Sequence, residues 1–192
     1  MTNADANPKT PRHLRITEPS PWVVRFAPLI KPGGSVLDIA CGGGRHARHL
    51  LGLGLDVTLI DQDTSAVADL GEQAEIIELD LEAGDPGFLT GRGFDAVVVV
   101  NYLHRPLIVP LLESINDGGV LIYQTFAVGN EQYSRPRNPD HLLKSGELLD
   151  AANGRMQVVA YEHGLVESGP LPGVIQRICA IKAEEPVAVE PT

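Results

Sequence analysis

Three aspartates and a run of three glycines are the residues of this chain best suited to hold a ligand. Asp38 follows the apolar pair Val36 and Leu37, Asp61 ends the run Val57 to Ile60, and Asp80 ends Ile76 to Leu79. Gly42, Gly43 and Gly44 come soon after Asp38. A side chain at these glycines would hold a ligand away from the backbone, and glycine tolerates the dihedrals of a tight turn. Asp61 lies roughly 20 residues past the first glycine, the spacing at which a carboxylate meets ribose hydroxyls and repels a 2′-phosphate. Asp80 suits the amino group of an adenine, with the Leu81 backbone reading the ring. None of these groups has to act as acid or base; together they select and orient a nucleotide-like ligand.

Such residues need an open α/β sheet to bring them together, because ligands of these sheets lie beyond the carboxyl ends of the strands. The hydrophobic pattern supplies one. A helix is expected from Ser20 or Pro21 to Ile30, with Trp22, Phe26 and Ile30 on one face. Strands are expected at 35–40, 56–60, 75–79, 95–100 and 120–126. Helices are expected at 45–53, from a Thr64 or Ser65 cap to about Gly71, and at 106–115. Gly54 is the expected residue just past the second helix. The valine run before Asn101 is that of a strand covered on both faces. Turns are expected at Asp85-Pro86-Gly87 and Asp117-Gly118-Gly119. A long linker, 127–140, precedes a helix expected at 141–152. Two further strands, 156–162 and 173–182, flank a loop containing Gly164, Gly169, Pro170 and Pro172, and could pair antiparallel.

The 192 residues fit one domain, with 43% hydrophobic and 21% charged residues, an ordinary globular composition. A net charge of −10 disfavours a nucleic-acid partner, whose affinity comes from Lys and Arg contacts to phosphate. No apolar run approaches the roughly 20 residues of a membrane span, and the start lacks the apolar core of a signal peptide. A cytoplasmic location is the expectation. Cys41 and Cys179 imply neither a disulfide framework nor a metal site. Residues 1–17 are expected as a flexible N-terminal segment, 18–183 as the domain, and 184–192 as a flexible acidic tail.

The glycine loop does not meet the dinucleotide pattern G-x-G-x-x-G, since Arg45, His46 and Ala47 follow. It does place small residues at every second position after an acid: Asp38, Ala40, Gly42, Gly44. This resembles the first motif of class I S-adenosylmethionine-dependent methyltransferases, with Ala40 where glycine is commonest. The resemblance continues through Asp61, Asp80-Leu81 and FDAVVVVNYLHRPL, over roughly residues 19–182. The segments NYLHRPL, GGVLIYQTF, RPRNPDHLL and GELL are similar to small methyltransferases related to tellurite-resistance proteins. The family implies a Rossmann-like, doubly wound, seven-stranded, mostly parallel sheet of order 3-2-1-4-5-7-6 with the last strand antiparallel. It implies S-adenosyl-L-methionine as cofactor, held by Asp38, Ala40, Cys41, Gly42, Gly44, Asp61, Gln62, Asp80, Leu81 and Asn101.

For the chemical step the candidates are His104, near which the family places the transferred methyl, and Tyr133, Arg135 and Arg137 in the long linker. Arginine forks suit oxyanions, so Arg135 and Arg137 would touch an anionic substrate. The N-P-P-Y motif of amino-group methyltransferases is absent around Asn101-Tyr102. Cys41 has no base demonstrably beside it and is read as a small loop residue. His46 and His49 stand three apart rather than four, with no third ligand, and no metal is expected. The expected reaction is methyl transfer to a small molecule, with a thiol or a chalcogen oxyanion as possible acceptors. The alternatives are a non-catalytic cofactor-binding module and an NAD-binding oxidoreductase. Oligomeric state is not legible.

Overall fold

A computed structural model describes residues 15–83, 86–167 and 172–188. Expectations for residues 1–14, Asp85, Gly169, Pro170 and 189–192 lie outside the described residues. The elements are α1 (Pro21–Phe26), β1 (Ser35–Ile39), α2 (Arg45–Gly52), β2 (Asp56–Asp61), β3 (Glu75–Glu78), β4 (Phe94–Val100), α3 (Arg105–Glu113), β5 (Ile115–Phe126), α4 (Glu147–Ala152), β6 (Gln157–Val166) and β7 (Gly173–Ile181). They form one seven-stranded sheet of order β3-β2-β1-β4-β5-β7-β6. The first five strands are parallel, and β7 runs antiparallel to both β5 and β6. This is the order and the antiparallel last strand that the resemblance implies.

Period-two alternation sorts the strands between two cores. Leu37, Ile39, Val97 and Val99 face α3, whose Leu107 and Leu111 are buried against them. Val36, Val57, Ala96 and Val98 face the opposite layer, with Trp22, Phe26 and Leu50. Trp22 also donates its indole N–H to the Ile178 carbonyl at 3.1 Å, so it is part of the core. Asp38 falls in the same alternation as Val36. It therefore points under α2, with Leu59 of β2 and Val98 of β4 as its strand neighbours.

Local expectations change at several points. α1 ends at Phe26 rather than Ile30, because Pro28 has no N–H for the helix, and Ala27–Leu29 winds on as a 3₁₀ turn. β6 runs on to Val166, so Gly164, expected in the loop, pairs with Ile175. The helix expected from a Thr64 or Ser65 cap to about Gly71 is a 3₁₀ helix, Ser65–Leu70; Thr64 stands at its cap, but its hydroxyl donates to Glu78 at 3.0 Å instead of capping. The fifth strand begins at Ile115 rather than Val120, because Ile115 already pairs with Phe94; the Asp117–Gly119 turn sits at a register shift inside it. The helix expected from His141 starts only at Glu147, since Pro139–His141 is a separate 3₁₀ turn and Gly146 takes a left-handed φ of 77°.

The cause of that late start is Arg105. Its guanidinium donates to Glu147 Oε1 at 2.6 Å and Oε2 at 3.0 Å, to the Asp140 carbonyl at 2.7 Å and to the Leu142 carbonyl at 2.8 Å. Leu143 is meanwhile bound by its backbone to Phe126 and Val128. These backbone groups are engaged outside a helix, so the helix waits for Glu147. The pairing also explains why HRPL and GELL occur together: one supplies the arginine and the other its carboxylate. Arg105→Ala is expected to lower unfolding free energy by about 1.5–3 kcal/mol, the range for hydrogen bonds to charged groups. A double-mutant cycle with Glu147→Gln in urea melts checks it; strictly additive effects would show that the two side chains act apart.

Candidate functional site

The strand order reverses between β1 and β4, and a cleft of about 580 Å³ opens at the carboxyl ends there. Its walls come from the loop after β1 (Ala40, Cys41, Gly42, Gly43), the start of α2 (Arg45, His46), the ends of β2 and β3 (Asp61, Gln62; Leu79 to Glu82), the end of β4 (Val100 to Tyr102) and Ile16. This is the place where open α/β sheets bind ligands.

The loop after β1 is built from alternating conformations. Ala40, Gly42 and Gly44 have φ of 53°, 54° and 72°. Every second residue is thus left-handed, which is why small residues recur at that spacing; Ala40 carries the strain that glycine would avoid. Such alternation turns backbone N–H groups into a concavity suited to anions. One of them, Gly42 N–H, donates to Asp61 Oδ2 at 2.8 Å. Asp61 Oδ1 accepts from Asp63 N–H at 3.2 Å, and the Cys41 N–H donates to the Ile60 carbonyl at 3.1 Å. The end of β2 therefore clamps the glycine loop. Asp80 organises its own turn by accepting from Glu82 N–H at 2.9 Å. Asn101 repeats the left-handed conformation at the end of β4, with φ 62°. Backbone strain of this kind gathers where a site must be held open.

Asp38 lies beneath this loop, 1% exposed. Burial pushes its carboxyl from 3.8 up to about 7, helped by repulsion from Asp61 and opposed by the Ala47 N–H and Arg45. Its Oδ2 has no hydrogen-bond partner among the described residues, nor do His46 Nε2 and the Tyr102 hydroxyl. Burial, with Arg45 and His49 adding to it, pushes His46 down to about 3, so its imidazole is neutral at physiological pH. Burial pushes the Cys41 thiol up, with Asp38 and Asp61 adding to it. A neutral thiol is a poor nucleophile, in keeping with a loop role.

Of the residues expected to hold cofactor, Ala40, Cys41, Gly42, Asp61, Gln62, Asp80, Leu81 and Asn101 come together on the cleft. Asp38 and Gly44 are outside its lining. Asp38 sits below it, and a Cβ on Gly44 would meet Val67 Cγ1 at 2.6 Å, so Gly44 serves close packing of the loop. The chemical candidates His104, Tyr133, Arg135 and Arg137 are also outside the lining. His104 caps α3 without a side-chain hydrogen bond; Tyr133 is 53% exposed, and Arg135 and Arg137 are exposed. Arg45, Glu82 and Ile16 are wall residues that sequence reasoning did not select. Arg45 was detectable, since it directly follows the glycines; Ile16 was not, because it lies in a polar segment.

Residues 36–117 match a family model described as a methyltransferase domain. The matched stretch runs from β1 through the glycine loop to the start of β5. The sheet has the Rossmann-like fold of class I S-adenosylmethionine-dependent methyltransferases. It is 34% identical over 79 residues to the ribosomal RNA small subunit methyltransferase H of a Nostoc species, covering 36% of this chain and 25% of that protein. Among solved structures, TehB from Haemophilus influenzae is similar with a TM-score of 0.66 and 22% identity, over 83% of this chain and 61% of that one. The 1,6-didemethyltoxoflavin-N1-methyltransferase of Burkholderia thailandensis, solved with S-adenosylhomocysteine, is similar with a TM-score of 0.62 and 15% identity, over 86% and 78%. These structural likenesses are likenesses of fold. The chain spans only a quarter of the Nostoc protein and less than two thirds of TehB.

The cofactor of this class is S-adenosylmethionine, and the cleft residues fit it. A carboxylate ends β2, a second ends the β3 segment, and the backbone between Ala40 and Gly43 lines the cleft. No helix of the described residues is long and apolar enough to cross a membrane.

Proposed function

We propose that the chain transfers a methyl group from S-adenosylmethionine to a small-molecule acceptor in the cleft between β1 and β4. The observation that carries this is the Asp61 carboxylate, clamped to Gly42 N–H at 2.8 Å and facing the cleft that Asp80, Leu81 and the glycine loop also line. When bound, the cofactor supplies a methyl already activated by the positive charge on sulfur. The task left to this chain is to hold the acceptor close and in line and to keep water out. Orientation of that kind contributes about 7–11 kcal/mol in favourable cases.

Asp61 and Asp80 bind and orient the adenosine, and the glycine loop and Asn101 border its methionyl part. The carboxylates on the wall also favour a cation electrostatically. His46, neutral and buried, is too weak a base to strip an amine or hydroxyl. An acceptor that arrives as a good nucleophile, such as a thiolate or a reduced chalcogen oxyanion, suits a site of this composition. The B. thailandensis neighbour, by its name, methylates 1,6-didemethyltoxoflavin at N1, which supports a small acceptor. The Nostoc relative acts, by its name, on ribosomal RNA; a net charge of −10 opposes that class here. Arg135, Arg137, Tyr133 and His104 remain proposed acceptor contacts.

The test is binding followed by turnover. S-adenosylhomocysteine, and not NAD, is expected to raise the melting temperature, because a ligand that binds only the folded state stabilises it by mass action. Asp61→Ala is expected to weaken that binding by about 1.5–3 kcal/mol in calorimetry, through loss of a charge-assisted hydrogen bond. Asp61→Asn keeps an acceptor for Gly42 N–H and should lose less. Unchanged affinity in Asp61→Ala would remove this carboxylate from the site. Labelled methyl transfer to thiols, selenium and tellurium oxyanions, protein and RNA fractions then identifies the acceptor; label in RNA alone would overturn the small-molecule proposal.

A further inference from the structure

β4 ends at Val100, and the chain turns through Asn101, with its φ of 62°, before α3 begins at Arg105. Tyr102 stands in this turn and lines the cleft. Its hydroxyl oxygen is shut from solvent and has no hydrogen-bond partner among the described residues. An unpaired buried hydroxyl costs a folded protein stability, so such a group needs a reason. Burial, with repulsion from Glu82, Asp80 and Asp61, pushes the Tyr102 phenol's pKa up. The phenol is therefore a neutral donor on the carboxylate side of the cleft.

The turn is held from β5. Tyr123, 3% exposed and paired with Val99 of β4, donates its hydroxyl to the Tyr102 carbonyl at 3.1 Å. The carbonyl of the next residue, Gln124, accepts from the Asn101 N–H at 2.8 Å. Two successive residues of β5 thus fix the two residues of the turn that border the cleft. Tyr123 itself is outside the cleft lining. Burial pushes its pKa up as well, with Tyr102 and Glu147 adding and Arg105 opposing, so it stays a donor at physiological pH.

We propose that Tyr123 is a positioning residue for cofactor binding: its hydrogen bond sets the Tyr102 backbone so that the Tyr102 phenol meets an acceptor atom of the bound ligand. The inference rests on the function proposed above and adds two residues to it, one that touches the ligand and one that acts through the first. A phenyl ring at position 123 fills the same space but leaves the Tyr102 carbonyl without its donor. The turn then loses the bond that holds its side chain in one arrangement, and a binding group that is not held by its surroundings binds less well.

Calorimetry with S-adenosylhomocysteine on the full chain compares the wild type, Tyr102→Phe, Tyr123→Phe and the double variant. Each single variant is expected to bind about 3- to 10-fold more weakly, the worth of one hydrogen bond. The double variant should match Tyr102→Phe within about twofold, because Tyr123 has nothing left to position. Without ligand, Tyr102→Phe should melt at the wild-type temperature or above it, since it deletes an unpaired buried hydroxyl. The chain has four tyrosines, so carbon-13 at the ring carbon bearing the hydroxyl gives a spectrum that these substitutions assign. S-adenosylhomocysteine should shift the Tyr102 signal in the wild type and shift it less in Tyr123→Phe.

If Tyr123 is merely structural, Tyr123→Phe weakens binding by the same factor in both backgrounds or lowers the melting temperature alone, and the proposal is overturned. Wild-type affinity in Tyr102→Phe, or a Tyr102 signal that the ligand leaves in place, overturns it without recourse to Tyr123→Phe. A lower melting temperature in Tyr102→Phe shows a hydroxyl already paired within the protein and does the same. A wild type that does not bind S-adenosylhomocysteine refutes the proposed function itself, and this inference with it.

Discussion

Asp38→Asn is expected to make the protein more stable at pH 8 by about 2–4 kcal/mol and to change it little at pH 4. The Asp38 carboxyl is wholly buried between Leu59 and Val98 on neighbouring strands, and burial raises it from 3.8 to about 7. An acid whose folded value lies above its unfolded value binds its proton more tightly in the folded state. Folding stability from this group therefore falls as pH rises from about 4 to about 7, where the unfolded chain has already ionised. Asparagine has nothing to ionise, so the variant lacks that decline. Urea melts of both proteins at several pH values between these limits measure the difference. Parallel curves would mean that Asp38 is ionised and satisfied in the folded protein. The same substitution is expected to weaken S-adenosylmethionine binding more than S-adenosylhomocysteine binding, because a negative charge beneath the loop favours the sulfonium that only the methyl donor carries. Stability lost to a group that serves a ligand is a familiar trade.

The second large effect is at Gly44. Gly44→Ala is expected to cost about 2–5 kcal/mol, from two separate causes. A φ of 72° is a left-handed conformation that costs an L-residue about 1–2 kcal/mol. The new Cβ would also meet Val67 Cγ1 at 2.6 Å, and Val67 is fully buried. Crowding of a packed core of this kind costs about 1–3 kcal/mol. Val67→Ala opens the space, so the double variant should be more stable than the sum of the two single effects by about 1 kcal/mol or more. Strict additivity would show that the conformational cost alone accounts for the loss. Since Gly44 is outside the cleft lining, the folded fraction of Gly44→Ala should bind S-adenosylhomocysteine nearly as the wild type does.

These two residues mark where local pattern stopped. Asp38 and Gly44 belong to a recognisable motif, and the motif implied a ligand contact for both. Chain geometry assigns them differently: Asp38 shares the inward alternation of Val36 and lies under α2, while Gly44 faces the 3₁₀ helix after β2. Asp61 was placed by its spacing from the glycines, but its bond to Gly42 N–H depends on β1 and β2 being neighbours. The late start of α4 shows the same limit. His141 to Ala152 has a helical composition, yet Arg105 takes the carbonyls of Asp140 and Leu142, 35 and 37 residues later in the chain.

From its sequence alone this chain is a doubly wound α/β protein with a glycine loop after its first strand and carboxylates at the ends of three strands. Those features come from short-range rules: period-two alternation, helix-start and turn residues, and the dihedral freedom of glycine. Only the tertiary structure decided which side chains share a cleft, that Arg45 and Ile16 belong to its wall, and that His104, Tyr133, Arg135 and Arg137 stand outside it. Contacts between distant segments depend on how crossover connections stack helices on a twisted sheet, and no pattern of neighbouring residues encodes that distance.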